Sequence, residues 1–232
     1  MQIRPIVIAI DGYSSTGKSS FAKLLAAKLN FIYIDTGALY RTVTLIALRN
    51  NLITKDNEIN TERLSELLSA TKISFRINEE NSKSEPFITD EPVEKYIRSL
   101  EIANSVSYIA ALDFVRDYVD EILRDLGKEK NVIMDGRDIG TAVFPEAELK
   151  IFMTAEADIR AKRRMMEMQS KGEKVDYEEI KRNLEERDYI DQHREMNPLT
   201  KADDAIVLDN SYMTIEQELE WVMNYIYENF NR

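Results

Sequence analysis

Gly12-Tyr13-Ser14-Ser15-Thr16-Gly17-Lys18-Ser19 is the stretch whose residue types and spacing could do chemistry. Two glycines separated by four free positions, the second followed by Lys and Ser, form a phosphate-loop pattern. Gly12 and Gly17 let the backbone bend tightly and approach an anion with no Cβ in the way. The loop amides, and those opening the next helix through Ser20, then point at phosphate oxygens. Lys18 can reach the β- and γ-phosphates, and the Ser19 hydroxyl can ligate Mg²⁺. The pattern predicts a nucleoside triphosphate site and leaves open what the phosphate is used for.

Arginines and acids supply the rest. Arg41 and Arg137 each follow a short apolar run and predict convergence on an anion near the γ-phosphate; a solvated helix position is the alternative for Arg41. Asp135 ends an apolar run, where it either caps a turn or holds the waters of a metal ion. Arg160, Arg163 and Arg164 share one helix face with no acid at the matching positions, so an anion is expected among them. Arg187, Asp191 and Arg194 have helical spacing, with a surface ion pair as the alternative. His193 is read as an exposed bystander.

Local patterns predict the elements that position these groups. Ile6–Ile10 is a short apolar run, read as a buried strand. A helix follows with Phe21, Leu24, Leu25 and Leu29 on one face. Phe31–Ile34 is a second strand, before a helix carrying Leu39, Val43, Ile46 and Ala47. Residues 60–100 read as a small insert with its own antiparallel strands: helical spacing at Leu64, Leu67 and Leu68, alternation over Ile73–Asn78, a turn over Asn81–Ser84, and a short extended piece at Phe87–Thr89. Ser105–Leu126 reads as one helix. Strands follow at Val132–Met134, Leu149–Met153 and Ala205–Leu208, with polar helices over 156–171 and 176–190. Thr214-Ile215-Glu216-Gln217 is a capping box opening a last helix. Five apolar strands alternating with helices predict a three-layer α/β fold around a parallel sheet.

The bulk composition narrows the function classes. A chain of 232 residues can bury a sizeable core as one domain or one and a half. The net charge of −11 provides no overall field for nucleic acid or an anionic membrane, so any phosphate site must be locally basic. With no cysteine and one histidine, disulfides and the usual zinc centres are excluded. The start of the chain has no signal-peptide pattern, and no apolar run nears the ~20 residues of a spanning helix. The cytosol is the expected location.

At this point the residues resemble the bacterial cytidylate kinases. Ile10–Ser20 resembles their phosphate loop, and Asp35-Thr36-Gly37-Ala38-Leu39-Tyr40-Arg41 their Asp-Ser/Thr-Gly-Ala-hydrophobic-Tyr-Arg segment. Asp135-Gly136-Arg137-Asp138-Ile139-Gly140-Thr141, with Val143-Phe144-Pro145, is similar to their most distinctive signature. Glu186-Arg187-Asp188 with Asp191 and Arg194 resembles their C-terminal motif. The likeness runs from residue 3 to about 227. Tyr13 stands where many relatives have Pro, and Ser19-Ser20 where many have Gly/Ser-Thr.

The resemblance implies a three-layer P-loop fold with strand order 2-3-1-4-5, read as one domain over 1–232. It implies an acceptor-binding lobe over 37–106, which contains the insert and swings shut, and a lid over 156–172. The implied reaction moves the γ-phosphoryl group of ATP to CMP or dCMP, with ATP and Mg²⁺ as cofactors. Thr36, Arg41, Arg137 and Arg187 would hold the acceptor's α-phosphate. Ser107, Arg116, Asp138 and Arg194 would read the cytosine, and Asp191 would hold the sugar hydroxyls. Arg160, Arg163 and Arg164 would lie on the lid over ATP. Lys18, Arg137, Arg160 and Arg164 would carry the transfer; Ser19, and Asp135 through water, would serve the metal. The expected partners are small molecules alone, and the expected state is a monomer.

Three rival readings remain distinguishable. Another small-molecule kinase of this loop type would share the first forty residues but lack the Asp135–Thr141 signature. A GTPase switch would use Thr200-Lys201-Ala202-Asp203, but that stretch precedes a strand and no Asp-x-x-Gly occurs in the chain. A nucleic-acid ATPase is opposed by the net charge.

Overall fold

Alternation of apolar runs and amphipathic stretches sets the element order. In chain order these are β1 (Val7–Gly12), α1 (Lys18–Leu29), β2 (Ile32–Asp35), α2 (Thr36–Arg49), α3 (Thr61–Ala70), β3 (Ile73–Asn78), β4 (Lys83–Ile88) and β5 (Glu91–Pro92). There follow α4 (Leu100–Ile109), α5 (Asp113–Gly127), β6 (Val132–Asp135), a π-helical turn (Ile139–Val143), β7 (Leu149–Thr154), α6 (Ala157–Ser170), α7 (Tyr177–His193), β8 (Ile206–Asp209) and α8 (Ile215–Phe230). The structure is a computed structural model that describes residues 3–54, 56, 58–78, 83–170, 172 and 174–231.

Five strands form one sheet in the order β2-β6-β1-β7-β8. Counted among these five alone, the order is 2-3-1-4-5. β1 pairs in parallel with β6 and β7, and β7 with β8. The central strands β1 and β6 are buried at every position, which is why they read as unbroken apolar runs. The edge strands are less covered: Ile32 on β2 and Val207 on β8 are 43% and 48% exposed. A separate three-stranded sheet, β3-β4-β5, is antiparallel, as expected for the insert. The turn expected over 81–84 lies partly outside the described residues, and Lys83 and Ser84 already belong to β4.

The chain divides into two compact units. The first comprises the residues up to Tyr33, Glu129–His193, and those from Asn197 on. Its core joins Ile6, Ile8 and Ile10 of β1 to Phe21 and Leu25 of α1, Ile151 and Met153 of β7, and Val222 and Ile226 of α8. Each such side chain contributes about 1.5–3 kcal/mol on burial. The capping box of α8 is present in full. The second unit comprises Ile34–Lys128 and Arg194–Met196, so it contains all of 37–106 and extends past it. Its core joins Ala38 and Leu45 of α2 to Val93, Ile97 and Ile102.

Two expectations need correction. Leu24 is 43% exposed, whereas Phe21, Ala22, Leu25 and Ala26 are buried. At about 3.6 residues per turn, Leu24 falls outside the arc those four define. The helix expected over 105–126 is two helices broken at residues 110–112. Ser99 caps the first, its Oγ accepting from the Ile102 amide. The Leu112 amide donates to the Ile109 carbonyl across the break, a tight turn that preserves the three-to-four spacing of apolar residues. Periodicity therefore could not reveal it. The Arg116 guanidinium donates from Nη1 to the Ala110 carbonyl at 3.1 Å, satisfying a group left over at the end of α4.

Candidate functional site

The phosphate loop joins β1 to α1 in the first unit. Gly12 has φ +144, and a Cβ there would meet the Met153 carbonyl oxygen at 1.9 Å, so only glycine fits. Gly17 opens α1 with φ +92. This helix has no side-chain cap and no acid in its first turn. Its leading amides are therefore available to an anion. Helices α2, α3, α4 and α8 instead carry side-chain caps from Asp35, Asn60, Ser99 and Thr214.

Lys18 is buried, and its Nζ donates to the carbonyls of Gly12 at 2.8 Å and Tyr13 at 2.6 Å. Burial, with Arg137 adding to it, pulls the lysine well below its ordinary pKa; Asp135, Asp11 and Asp191 oppose that. Ser19 Oγ donates to Asp135 Oδ2 at 2.7 Å, and Tyr33 Oη to Asp135 Oδ1 at 2.7 Å. One hydroxyl and one carboxylate side by side suit Mg²⁺, which keeps most of its waters and takes further oxygens from substrate phosphates. Among the described residues no group of three or more acidic, His or Cys side chains is poised around a metal. Ser15 and Thr16 complete the loop, and Ser20 is exposed on the first turn of α1.

Asp188 of α7 and arginines from two other segments meet at Ser14. Its amide donates to Asp188 Oδ1 at 3.1 Å. Its carbonyl accepts from Arg160 Nη1 at 3.1 Å, and its Oγ accepts from Arg137 Nη2 at 2.9 Å. Arg160 Nη1 also reaches Asp188 Oδ2 at 2.5 Å, and the Arg160 guanidinium lies 5.2 Å from the Tyr13 ring centroid. Arg137 Nε pairs with Asp191 Oδ2 at 2.7 Å. Burial works against the Arg137 charge, but the carboxylates of Asp191, Asp188 and Asp135 outweigh it and raise its pKa. Asp138 is buried beside Arg137 at the start of the π-helical turn. Asp11, at the end of β1, accepts from the amides of Ile139 at 2.8 Å and Gly140 at 2.7 Å. Burial lifts the Asp11 carboxyl to about 6 against the pull of those two amides.

The three arginines of α6 have separate partners. Arg160 is matched by Asp188, Arg163 donates to Asn210 and Arg164 pairs with Glu167 at 2.9 Å. The expectation of no matching acid is therefore corrected: one acid comes from α7, and another lies three residues on. Nor is Asp191 in a surface ion pair on its own helix, because it is buried against Arg137. Arg187 is half-buried on α7. His193 is exposed and stacks on Tyr189.

In the second unit, Thr36 opens α2 and is buried. Asp35 caps that helix through the Ala38 amide at 3.2 Å. Its other oxygen accepts from Arg41 at 2.8 Å and Arg98 at 2.9 Å. Burial alone would raise this carboxyl, but the two guanidiniums lower it to about 2. Ser107 on α4, Arg116 on α5 and Arg194 are all buried, and Arg116 lies 5.4 Å from the Tyr40 ring centroid.

Several of these residues carried no role from sequence reasoning: Asp188, Asp11, Tyr33, Asn210 and Arg98. Asp188 had a signal, since it lies three positions before Asp191 on one helix face. Asn210 had none. It is buried, and its Nδ2 donates to the Thr16 carbonyl at 2.8 Å and to Glu218 at 2.9 Å.

A parallel α/β sheet whose first strand runs into this loop, with the acid that ends β6 on the loop's serine, defines a P-loop nucleotide-binding fold. A solved structure of an uncharacterised protein from Eubacterium ventriosum ATCC 27560 has the same fold, with TM-score 0.50 at 15% identity over 95% of this chain and 98% of that one. The cytidylate kinase family model matches residues 8–228, and the chain belongs to that family. It is 52% identical over 220 residues to the cytidylate kinase of Phocaeicola vulgatus and 50% to that of Bacteroides thetaiotaomicron, each covering 95% of this chain and 96% of the relative. It is 48% identical over 224 residues to that of Flavobacterium johnsoniae, covering 97% of both chains.

Proposed function

We propose that this protein transfers the γ-phosphoryl group of ATP to CMP or dCMP, giving ADP and CDP or dCDP. The observation that carries this reading is the tie between the phosphate loop and Arg137 at Ser14 Oγ, within a chain matched to the family over residues 8–228. An oxygen of the acceptor's phosphate attacks the γ-phosphorus in line. The bond from that phosphorus to the β–γ bridging oxygen breaks, and ADP leaves with the electron pair. The acceptor phosphate is already an anion, so no strong base is needed. The work lies in aligning two anions and neutralising the charge that spreads over the moving group.

Lys18 leaves its loop carbonyls to meet the β- and γ-phosphates, and the open amides of α1 hold the β-phosphate. Ser19, with Asp135 through water, would hold Mg²⁺, which supplies further neutralisation when bound. Arg160, Arg163 and Arg164, on a lid over 156–172, face ATP. On the acceptor, Thr36, Arg41, Arg137 and Arg187 hold the phosphate. Asp191 meets the sugar while orienting Arg137. Ser107, Arg116, Asp138 and Arg194 read the base. Cytosine donates from its 4-amino group, which suits the Asp138 carboxylate, and accepts at N3 and O2, which suits Arg116. The enzyme works in the cytosol as a monomer on small molecules; no helix among the described residues is long and apolar enough to cross a membrane.

An ADP-release assay across CMP, dCMP, UMP, AMP and GMP tests this. CMP and dCMP are expected to be fastest; faster turnover of AMP or GMP would overturn the reading.

A further inference from the structure

Ser14 occupies the second of the four positions that the phosphate-loop pattern leaves unspecified. It is 3% exposed, and all three of its polar groups are engaged by side chains from distant segments. Asp188 of α7 takes its amide, so that N–H is not offered to a phosphate. Arg160 of α6 donates to its carbonyl. With both backbone groups held, the place of the hydroxyl is set, and Arg137 Nη2 donates to it at 2.9 Å. Arg137 is held at two further points, Nε on Asp191 at 2.7 Å and Nη1 on the Gly136 carbonyl at 3.2 Å.

A guanidinium has five N–H donors in a rigid plane. Three are used by Asp191, Gly136 and Ser14, which leaves two for a ligand. Three fixed points also determine the direction in which those two face. Without the hydroxyl, Nη2 would lose its partner, and the plane could turn about the line that joins the Nε and Nη1 contacts.

We infer that Ser14 is a positioning residue: its hydroxyl aims Arg137 at the acceptor's phosphate from within the loop that grips ATP. The inference rests on the reading of Arg137 given above. It assigns to a side chain of the phosphate loop a role toward the second substrate, whereas the loop's backbone serves the first.

The test is a double-mutant cycle of Ser14→Ala and Arg137→Ala, alone and together. Initial rates are measured with CMP varied at saturating ATP and with ATP varied at saturating CMP. Urea midpoints check that each variant is folded, and titration with a non-hydrolysable ATP analogue checks the loop. Removing one charge-assisted hydrogen bond is expected to lower kcat/KM for CMP about tenfold or more in Ser14→Ala, with KM for ATP within about twofold. In the Arg137→Ala background the same substitution is expected to change kcat/KM for CMP less than about twofold, because its effect passes through Arg137. A structural filler would cost the same in both backgrounds, and that result overturns the inference. So does unchanged CMP efficiency in folded Ser14→Ala, or an equal loss for both substrates. If Arg137→Ala alone leaves CMP use intact, the assignment of Arg137 fails, and the inference with it.

Discussion

Replacing Asp188 by Ala tests whether the clasp at the phosphate loop holds the first unit together. The side chains of Asp188 and Arg160 are 10% and 9% exposed and meet at 2.5 Å. Removing one partner of a buried pair costs about 3–5 kcal/mol, because the other charge stays buried alone. Here Arg160 keeps the carbonyls of Ala155 and Ser14, each at 3.1 Å, so the lower end applies. The Ser14 amide also loses its acceptor, which adds about 1 kcal/mol. The expected loss is about 4 kcal/mol. With a urea m-value of about 3 kcal/mol/M for a chain of this size, the unfolding midpoint falls by about 1 M. Equilibrium urea unfolding followed by far-UV circular dichroism measures it. Asp188→Ala combined with Arg160→Met removes both charges, and its midpoint is expected to lie above that of Asp188→Ala alone. A shift below about 0.3 M in the single variant, or no recovery in the double, would refute the reasoning.

Four further outcomes are expected. Lys18→Ala lowers turnover at least about a hundredfold while the protein stays folded, because a preorganised charge on the transferring phosphate is worth about 3–4 kcal/mol; near-normal turnover contradicts the phosphate-loop role. Arg41→Ala raises KM for CMP and leaves KM for ATP nearly unchanged, a charge-assisted contact being worth about 1.5–3 kcal/mol; equal losses for both substrates place it elsewhere. Asp138→Asn narrows the preference for CMP over UMP, measured as the ratio of their kcat/KM values, since a mispaired base edge can discriminate by up to ~10⁴-fold; an unchanged ratio removes Asp138 from base reading. Asp35 is displaced from 3.8 to about 2 in the folded chain. Its folded form resists protonation more than its unfolded form, so about 2 kcal/mol of stability is complete above 3.8 and lost as pH falls toward 2. Urea midpoints across that window are expected to fall more steeply for the parent than for Asp35→Asn; parallel profiles count against it.

The strand–loop–helix at the start of the chain was legible because its causes are local. Gly12 and Gly17 are needed at φ +144 and +92, values that a side chain resists. The buried strands read as unbroken apolar runs because both faces of β1 and β6 are covered. The capping box at Thr214 and the antiparallel insert were legible for the same reason: each depends on neighbours a few residues away. Lys18, Ser19, Asp135 and Arg137 followed from their positions at the ends of such elements.

Which charge meets which was decided only in three dimensions. Arg160 and Asp188 are 28 positions apart, and Ser14 and Arg137 are 123 apart. Asp11 reaches amides 128 and 129 residues away. Sequence spacing reveals pairs within one helical turn, such as Arg164 with Glu167, and no others. The match of Arg160 with Asp188 therefore lay beyond sequence reading, whereas Glu167, three positions after Arg164, lay within it. The break at residues 110–112 was hidden by the same limit, since the turn kept the apolar spacing while Arg116 closed the helix end through tertiary contact. Apolar period and backbone preference are local properties and can be read along the chain; the pairing of buried charges depends on which segments the sheet brings together, and only the folded chain determines that.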